Sequence, residues 1–236
     1  MSEWAAKRFW KEASVDEGAQ DFGVTLDGRP LRTPAKAELR VPSRAMAQAI
    51  AAEWDAQDGV IRPETMPVTR SANAAIDKVA VQFDEVVDLL AEYGGTDLLC
   101  YRAQSPEELV ARQAQAWDAL LNWAADEYGV QLVVTSGVIP VDQDVAALAR
   151  LRGELAAMSP FALAAMHDLI SLTGSLILGL AVARGRLEAQ QAWELSRLDE
   201  TWQRDLWGAD DEADALASLK CEALLHAARF WTLAHS

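Results

Sequence analysis

The chain has 236 residues and a mass of 25.7 kDa, with 51% hydrophobic and 24% charged residues. That is enough apolar length for one large domain or two small ones, and it excludes a disordered chain. Against 36 Asp and Glu stand 21 Lys and Arg, a formal net charge of −15 and a pI of about 4.6, which disfavours general binding to nucleic-acid phosphate or to anionic lipid.

Cys100 and Cys221 are far apart, with no CxxC, so no disulfide framework is expected and a reducing compartment is the default. His167, His226 and His235 build no HExxH, HxH or Cys/His cluster, so no zinc site is expected and no cofactor is implied. The opening Met-Ser-Glu-Trp reads as neither a secretion signal nor an Arg-rich transit peptide.

In chain order, Phe22, Val24 and Leu26 alternate with polar residues and run into Asp27-Gly28, the dipeptide of a type I′ hairpin turn. Arg29 to Pro34 reads as the return strand, placed at an edge because its prolines lack a ladder donor. Lys7 to Lys11 and Glu38 to Val41 are further short strand candidates. Ser43 caps a helix whose stripe is Met46, Ala49, Ile50 and Trp54, ended by Gly59. After a loop with Pro63 and Pro67, one long helix is expected from Thr69 to Tyr93, with Ile76, Val79, Phe83, Val86 and Leu90 on one face and Gly94 as its left-handed stop. Thr96 to Tyr101 is ambiguous. Ser105-Pro106-Glu107-Glu108 predicts a capping box and a helix that buries Leu109, Ala116, Trp117, Leu120 and Ala124 before Gly129.

Gln131 to Thr135 suits one strand, and from Asp142 onward every segment reads as helix. One helix carries Val145, Leu148, Leu151 and Leu155; the next opens at Ser159-Pro160. Leu169 to Ala183 is an uncharged run of fifteen residues, short of the twenty or so that span a bilayer, and reads as a buried core helix. The last two helices are expected at Glu188 to Trp207 and Asp211 to Ala234. The fold class is therefore α+β: a small antiparallel β-containing N-terminal domain followed by a larger all-helical one. The β unit takes residues 1–42, or extends with the following helices to about 95; residues 96–236 form the helical part.

The chemistry-bearing patterns are absent. No GxGxxG follows a strand, and no phosphate loop or GxSxG elbow occurs. His167-Asp168 and Cys100 are the two candidates for an unrecognised carboxylate or cysteine enzyme site, and each reads more simply as a structural residue.

Tryptophan is over-used: nine Trp against five Phe and three Tyr. Trp fills cores and also anchors interfaces, because it combines a large rigid area with a polar handle. On a helical wheel of Glu188 to Trp207, Leu195, Leu198, Trp202 and Leu206 form one stripe, while Trp193, Arg197, Glu200, Arg204 and Trp207 fall on the other side. Two tryptophans thus sit among charges. Asp199 falls inside the apolar stripe with no cation four residues away, so it must meet a partner, an Arg or a helix N-terminus, or take part in binding.

Several segments carry a resemblance, in this order along nearly the whole chain: RFWK (Arg8 to Lys11), LDGRPLRTP (Leu26 to Pro34), EWDAQ (Glu53 to Gln57), P-x-x-M-P-x-T (Pro63 to Thr69), TDLLCYRA (Thr96 to Ala103), Trp117-Asp118, and SRLDETWQ (Ser196 to Gln203) followed by Trp207-Gly208. Together they resemble the assembly-chaperone family of F-type ATP synthase that acts on the alpha subunit of the catalytic head, also called assembly factor two. The resemblance implies a non-enzymatic protein that binds the free alpha subunit and shields its subunit interface. It implies a bacterial, cytoplasmic member, with eukaryotic relatives in the mitochondrial matrix. Partner-binding residues by this reading are Arg197, Asp199 and Glu200, with Trp193 and Trp207 beside them. Trp54 is expected to be structural, packing its helix against the β unit. A scaffold for another partner remains the competing non-enzyme reading.

Overall fold

A computed structural model describes residues 7–137 and 139–236; Trp4 lies outside them. The chain divides into two compact units: Met1–Phe83, Ser159–Ala165 and Arg229–Ser236 form the first, and Asp84–Met158 with Met166–Ala228 form the second. The arrangement is α+β, with the sheet confined to the N-terminal part.

The first unit is built on strands β1 (Ala13–Glu17), β2 (Phe22–Leu26), β3 (Arg29–Pro30) and β4 (Arg40–Val41). β2 is the hub, antiparallel to the other three, and Val15 faces Val24 across the β1–β2 ladder. Asp27 and Gly28 both have positive φ (48° and 78°), as the two-residue hairpin turn requires. β1 was not legible: ASVDE has little apolar alternation, and it becomes a strand by pairing with the strongly patterned β2. Of Lys7 to Lys11, only Lys7 makes an isolated bridge, to Val60.

Helix α1 (Arg44–Asp55) follows, and Ser43 caps it by accepting the Met46 N–H at 3.0 Å. The helix stops four residues before Gly59. Met46, Ile50, Val24, Val41, Leu39, Trp10 and Val68 form a core that also takes Ala165 and Phe230.

The single helix expected from Thr69 to Tyr93 is instead α2 (Pro67–Ala74), a π turn (Ala75–Val79) and α3 (Phe83–Ala91). The Asp77 carboxylate, inside the π turn, accepts the Ala35 N–H at 3.0 Å, so a contact distant in sequence accompanies the break. Gly94 is not a left-handed stop. It is buried because Leu148 and Leu176 pack where a Cβ would project, at 3.1 and 3.3 Å.

The second unit holds α3, β5 (Tyr101–Arg102), α4 (Glu107–Tyr128), β6 (Thr135–Ser136), α5 (Val145–Ala156), the later part of α6 (Pro160–Thr173), α7 (Leu176–Ala183), α8 (Ala189–Ser196), α9 (Leu198–Trp207) and most of α10 (Asp211–Ala234). The capping box at Ser105 does not form: Pro106 is extended, α4 begins one residue later at Glu107, and no side chain caps it. Of Gln131 to Thr135 only Thr135 is strand, paired in parallel with β5. Val145, expected on a buried stripe, is 80% exposed at the first residue of α5.

The uncharged run at Leu169 is two helices, not one. Gly174 turns left-handed (φ 70°), and Ser175 caps α7 through the Leu178 N–H. Asp97 decides this break. Its buried carboxylate accepts the Ser175 hydroxyl at 2.7 Å, the Ile177 N–H at 3.0 Å and the Leu99 N–H at 3.0 Å, serving the starts of two helical segments at once. Among the described residues no helix is long and apolar enough to cross a membrane.

Candidate functional site

The expected helix from Glu188 to Trp207 also breaks, at Arg197 (φ −108°, ψ 21°). In an uninterrupted helix the Leu195 carbonyl would accept the Asp199 N–H. Here it accepts the indole N–H of Trp117, from α4, at 3.0 Å. A tertiary hydrogen bond therefore sits where the helical ladder would have continued, and a single wheel across Arg197 does not apply.

The consequences fall on the candidate residues. Trp193, expected on the solvated face, is buried at 8% exposure. The Arg197 guanidinium lies over its ring, 5.5 Å from the centroid, and pairs with the exposed Glu200 at 2.7 Å. Leu206, expected in the apolar stripe, is 58% exposed, and Trp207 is 79% exposed. Trp193, Arg197, Glu200 and Trp207 line one groove of about 440 Å³, together with Arg204, Ala213 and Asp214. A neighbouring groove of about 700 Å³ shares Trp193 and Arg197 and is walled by Arg112, Leu187 and Leu198.

Asp199 turns away from this groove. It lies in the first turn of α9, and its carboxylate accepts the side-chain N–H of Gln113 at 2.7 Å. The partner that the sequence required is thus a neutral amide together with its own helix N-terminus, which favours a carboxylate. Gln113 was missed. Its signal was a polar residue at i+4 from Leu109 and i−4 to Trp117, within the apolar stripe of α4. The Gln113 carbonyl oxygen accepts the Ala103 N–H at 2.8 Å. Arg102 stacks over Trp117 at 5.2 Å and pairs with Asp118 at 2.9 Å. The TDLLCYRA, Trp-Asp and SRLDE segments, scattered along the chain, are therefore bonded to one another through α4.

The segments in the first unit likewise brace one another. Asp27 accepts the N–H groups of Lys11 and Glu12. Asp55 accepts the Ala13 N–H at 2.9 Å. Glu53 accepts from Val68 N, Thr69 N and the Thr69 hydroxyl at 2.7–2.8 Å, capping α2 from outside. Trp54 is half-buried against Trp10, with ring centroids 5.1 Å apart.

The catalytic candidates are not drawn into the grooves at α9. Cys100 is fully buried, and burial pushes its thiol up to about 12, so the nucleophilic thiolate is not formed near neutral pH. His167 bonds its neighbour Asp168 at 2.9 Å on an exposed face, and that carboxylate raises the imidazole pKa. Among the described residues no group of three His, Cys, Asp or Glu is placed to hold a metal ion.

Comparison with known proteins gives a consistent result. The model of the family described as ATP12 chaperone protein matches residues 7–125. The mitochondrial protein atp12 of Schizosaccharomyces pombe is 28% identical over 219 residues, covering 88% of this chain and 75% of the yeast protein. The crystal structure of Atp12 from Paracoccus denitrificans shares 53% identity at a TM-score of 0.95, covering 98% of this chain and all of that one. An Asp-to-Lys mutant of the same Paracoccus protein superposes at a TM-score of 0.96. The Atu1473 protein of Agrobacterium tumefaciens is 43% identical at 0.86, covering 94% of this chain and 85% of that one. The chain belongs to the ATP12 chaperone family, the assembly-chaperone family that its motifs resemble.

Proposed function

We propose that the protein is a non-enzymatic assembly chaperone of F-type ATP synthase that binds the free alpha subunit and shields its subunit interface until the beta subunit replaces it. It acts in the cytoplasm of a bacterial cell. One observation carries the reading beyond family membership: Leu206 and Trp207 are 58% and 79% exposed beside a groove floored by Trp193. An indole in water makes no stabilising contact, whereas at an interface it is a large rigid anchor. An obligate subunit interface is large and apolar, and invites aggregation when it stands alone. A stand-in neighbour needs apolar anchors, a polar rim and modest affinity, so that the permanent partner displaces it without nucleotide hydrolysis. Arg197 and Glu200 supply that rim, with Trp193 and Trp207 as the aromatic elements, while Asp199, bonded inward to Gln113, holds the start of α9 in place.

The test is a pull-down with the full-length protein from cells that lack the beta subunit, read alongside the solubility of the alpha subunit. Recovery of alpha, and its precipitation when the chaperone is absent, are expected. Failure to recover alpha while it remains unassembled ends this reading.

A further inference from the structure

Residues 203–213, the end of α9 and the turn into α10, are exposed at every position. The groove of about 440 Å³ lies here, between Arg204 and Trp207 on one side and Ala213, Asp214 and Ala217 on the other. It continues along α10 as a cleft of about 500 Å³ that reaches Ser218 and Cys221. Trp193, Trp207, Ala213 and Ala217 give the slot its apolar surfaces, Glu200, Asp210 and Asp214 line it together with Arg197 and Arg204, and Asp211 and Glu212 stand just beyond it in the first turn of α10. Between Asp199 and Asp214 the chain carries seven acids and one base, Arg204. Glu200, Asp205 and Asp214 are paired with Arg197, Arg112 and Arg204. Asp210 accepts the Glu212 and Ala213 N–H groups as the cap of α10. Among the described residues, neither Asp211 nor Glu212 has an ion pair.

This combination selects its occupant. A second copy of the chain, itself at −15, would bring acid to acid. Nucleic acid and anionic lipid are repelled for the same reason. A wholly apolar segment would dehydrate rim carboxylates without compensation. We propose that the groove receives a client segment in which Lys or Arg flanks a bulky apolar side chain, the apolar group packing on Trp207 and the cation meeting Asp211 and Glu212. This deepens the chaperone reading and rests on it.

The experiment measures the affinity of the full-length protein for isolated ATP synthase alpha subunit at low and at high salt. Trp207→Ala and the double variant Asp211→Lys/Glu212→Lys are compared with the parent protein, and melting temperatures serve as a folding check at these exposed positions. Trp207→Ala is expected to weaken binding by about 10-fold or more at both salt concentrations. The double variant should weaken binding at low salt and flatten its salt dependence. Undiminished affinity in both folded variants overturns the groove assignment and leaves the chaperone reading standing. Self-association that depends on Trp207 overturns it in favour of a second copy. No binding of alpha by the parent protein removes the chaperone reading, and this assignment with it.

Discussion

The Gln113 side chain ties Asp199 to Ala103: its N–H donates to the Asp199 carboxylate at 2.7 Å and its carbonyl accepts the Ala103 N–H at 2.8 Å. One buried amide therefore holds the first turn of α9 against the segment that follows β5. Gln113→Leu keeps the volume and removes both bonds. It is expected to cost about 1–3 kcal/mol, seen as a lower urea midpoint at an unchanged m-value. A midpoint equal to that of the parent protein would show that the bridge is idle.

The same geometry separates the two carboxylates of SRLDE. Glu200 is exposed, and its pair with Arg197 is a surface ion pair, worth at most about 1 kcal/mol. Glu200→Lys should barely move the melting temperature while weakening alpha-subunit binding. Asp199→Lys sets an ammonium against an amide N–H whose carbonyl is already occupied. It should lose about 1–2 kcal/mol more stability than Glu200→Lys. Equal melting temperatures would contradict the Gln113 bridge; unchanged binding in both variants would contradict the site.

Trp54 offers a test with two arms. It packs on Trp10, which is 3% exposed, and the indole nitrogens of both are buried without an acceptor among the described residues. Trp54→Phe surrenders no hydrogen bond and keeps an aromatic face, so a loss below about 1.5 kcal/mol is expected. Trp54→Arg places a charge against the Trp10 ring and should cost about 3 kcal/mol or more. Denaturation of the two variants side by side decides whether packing or the N–H matters.

Asp97 gives a pH dependence. Burial pushes its carboxyl up to about 6, against the hydrogen bonds from Ile177, Ser175 and Leu99, which pull it down; an ordinary Asp titrates at 3.8. The folded chain thus holds this proton more tightly than the unfolded chain. The stabilisation on protonation is fully present below 3.8 and is lost as pH rises through 6. The gap corresponds to about 3 kcal/mol. Asp97→Asn removes the titration. From about pH 4 to about pH 7 the parent protein should lose stability relative to the variant, and parallel curves would refute the assignment.

Gly179 lies inside α7, where Ala would normally be favoured by about 1 kcal/mol. A Cβ there would come within 2.7 Å of Ile170 Cγ1 and 3.3 Å of Met166 Cε. Overpacking costs about 1–3 kcal/mol, so Gly179→Ala should lower stability despite its helix propensity. A gain in melting temperature would mean that Ile170 moves aside freely.

Much of the fold was legible from local chemistry. The Asp27-Gly28 hairpin, the Ser43 cap, the stop at Gly129 and the α10 span follow from residues a few positions apart. At the candidate site, the excess of tryptophan and the out-of-place Asp199 singled out the Glu188 to Trp207 stretch but did not give its geometry. Trp193 was assigned to water because a period of 3.6 was carried through Arg197.

The residue types, caps and turn dipeptides determined most of the helical segments and the β2 hairpin, and the ordered motifs determined the family, because each depends only on neighbours along the chain. Tertiary structure alone decided where the helices break and which way Trp193, Asp199 and Trp207 face. At two of the breaks a polar group from elsewhere sits on the backbone, Asp97 at the start of α7 and the Trp117 indole on the Leu195 carbonyl; at the third, Asp77 inside the π turn reaches out to the Ala35 N–H. A hydrogen bond supplied from 78 or more residues away, as in the first two cases, is invisible to periodicity, yet it is strong enough to redirect a helix.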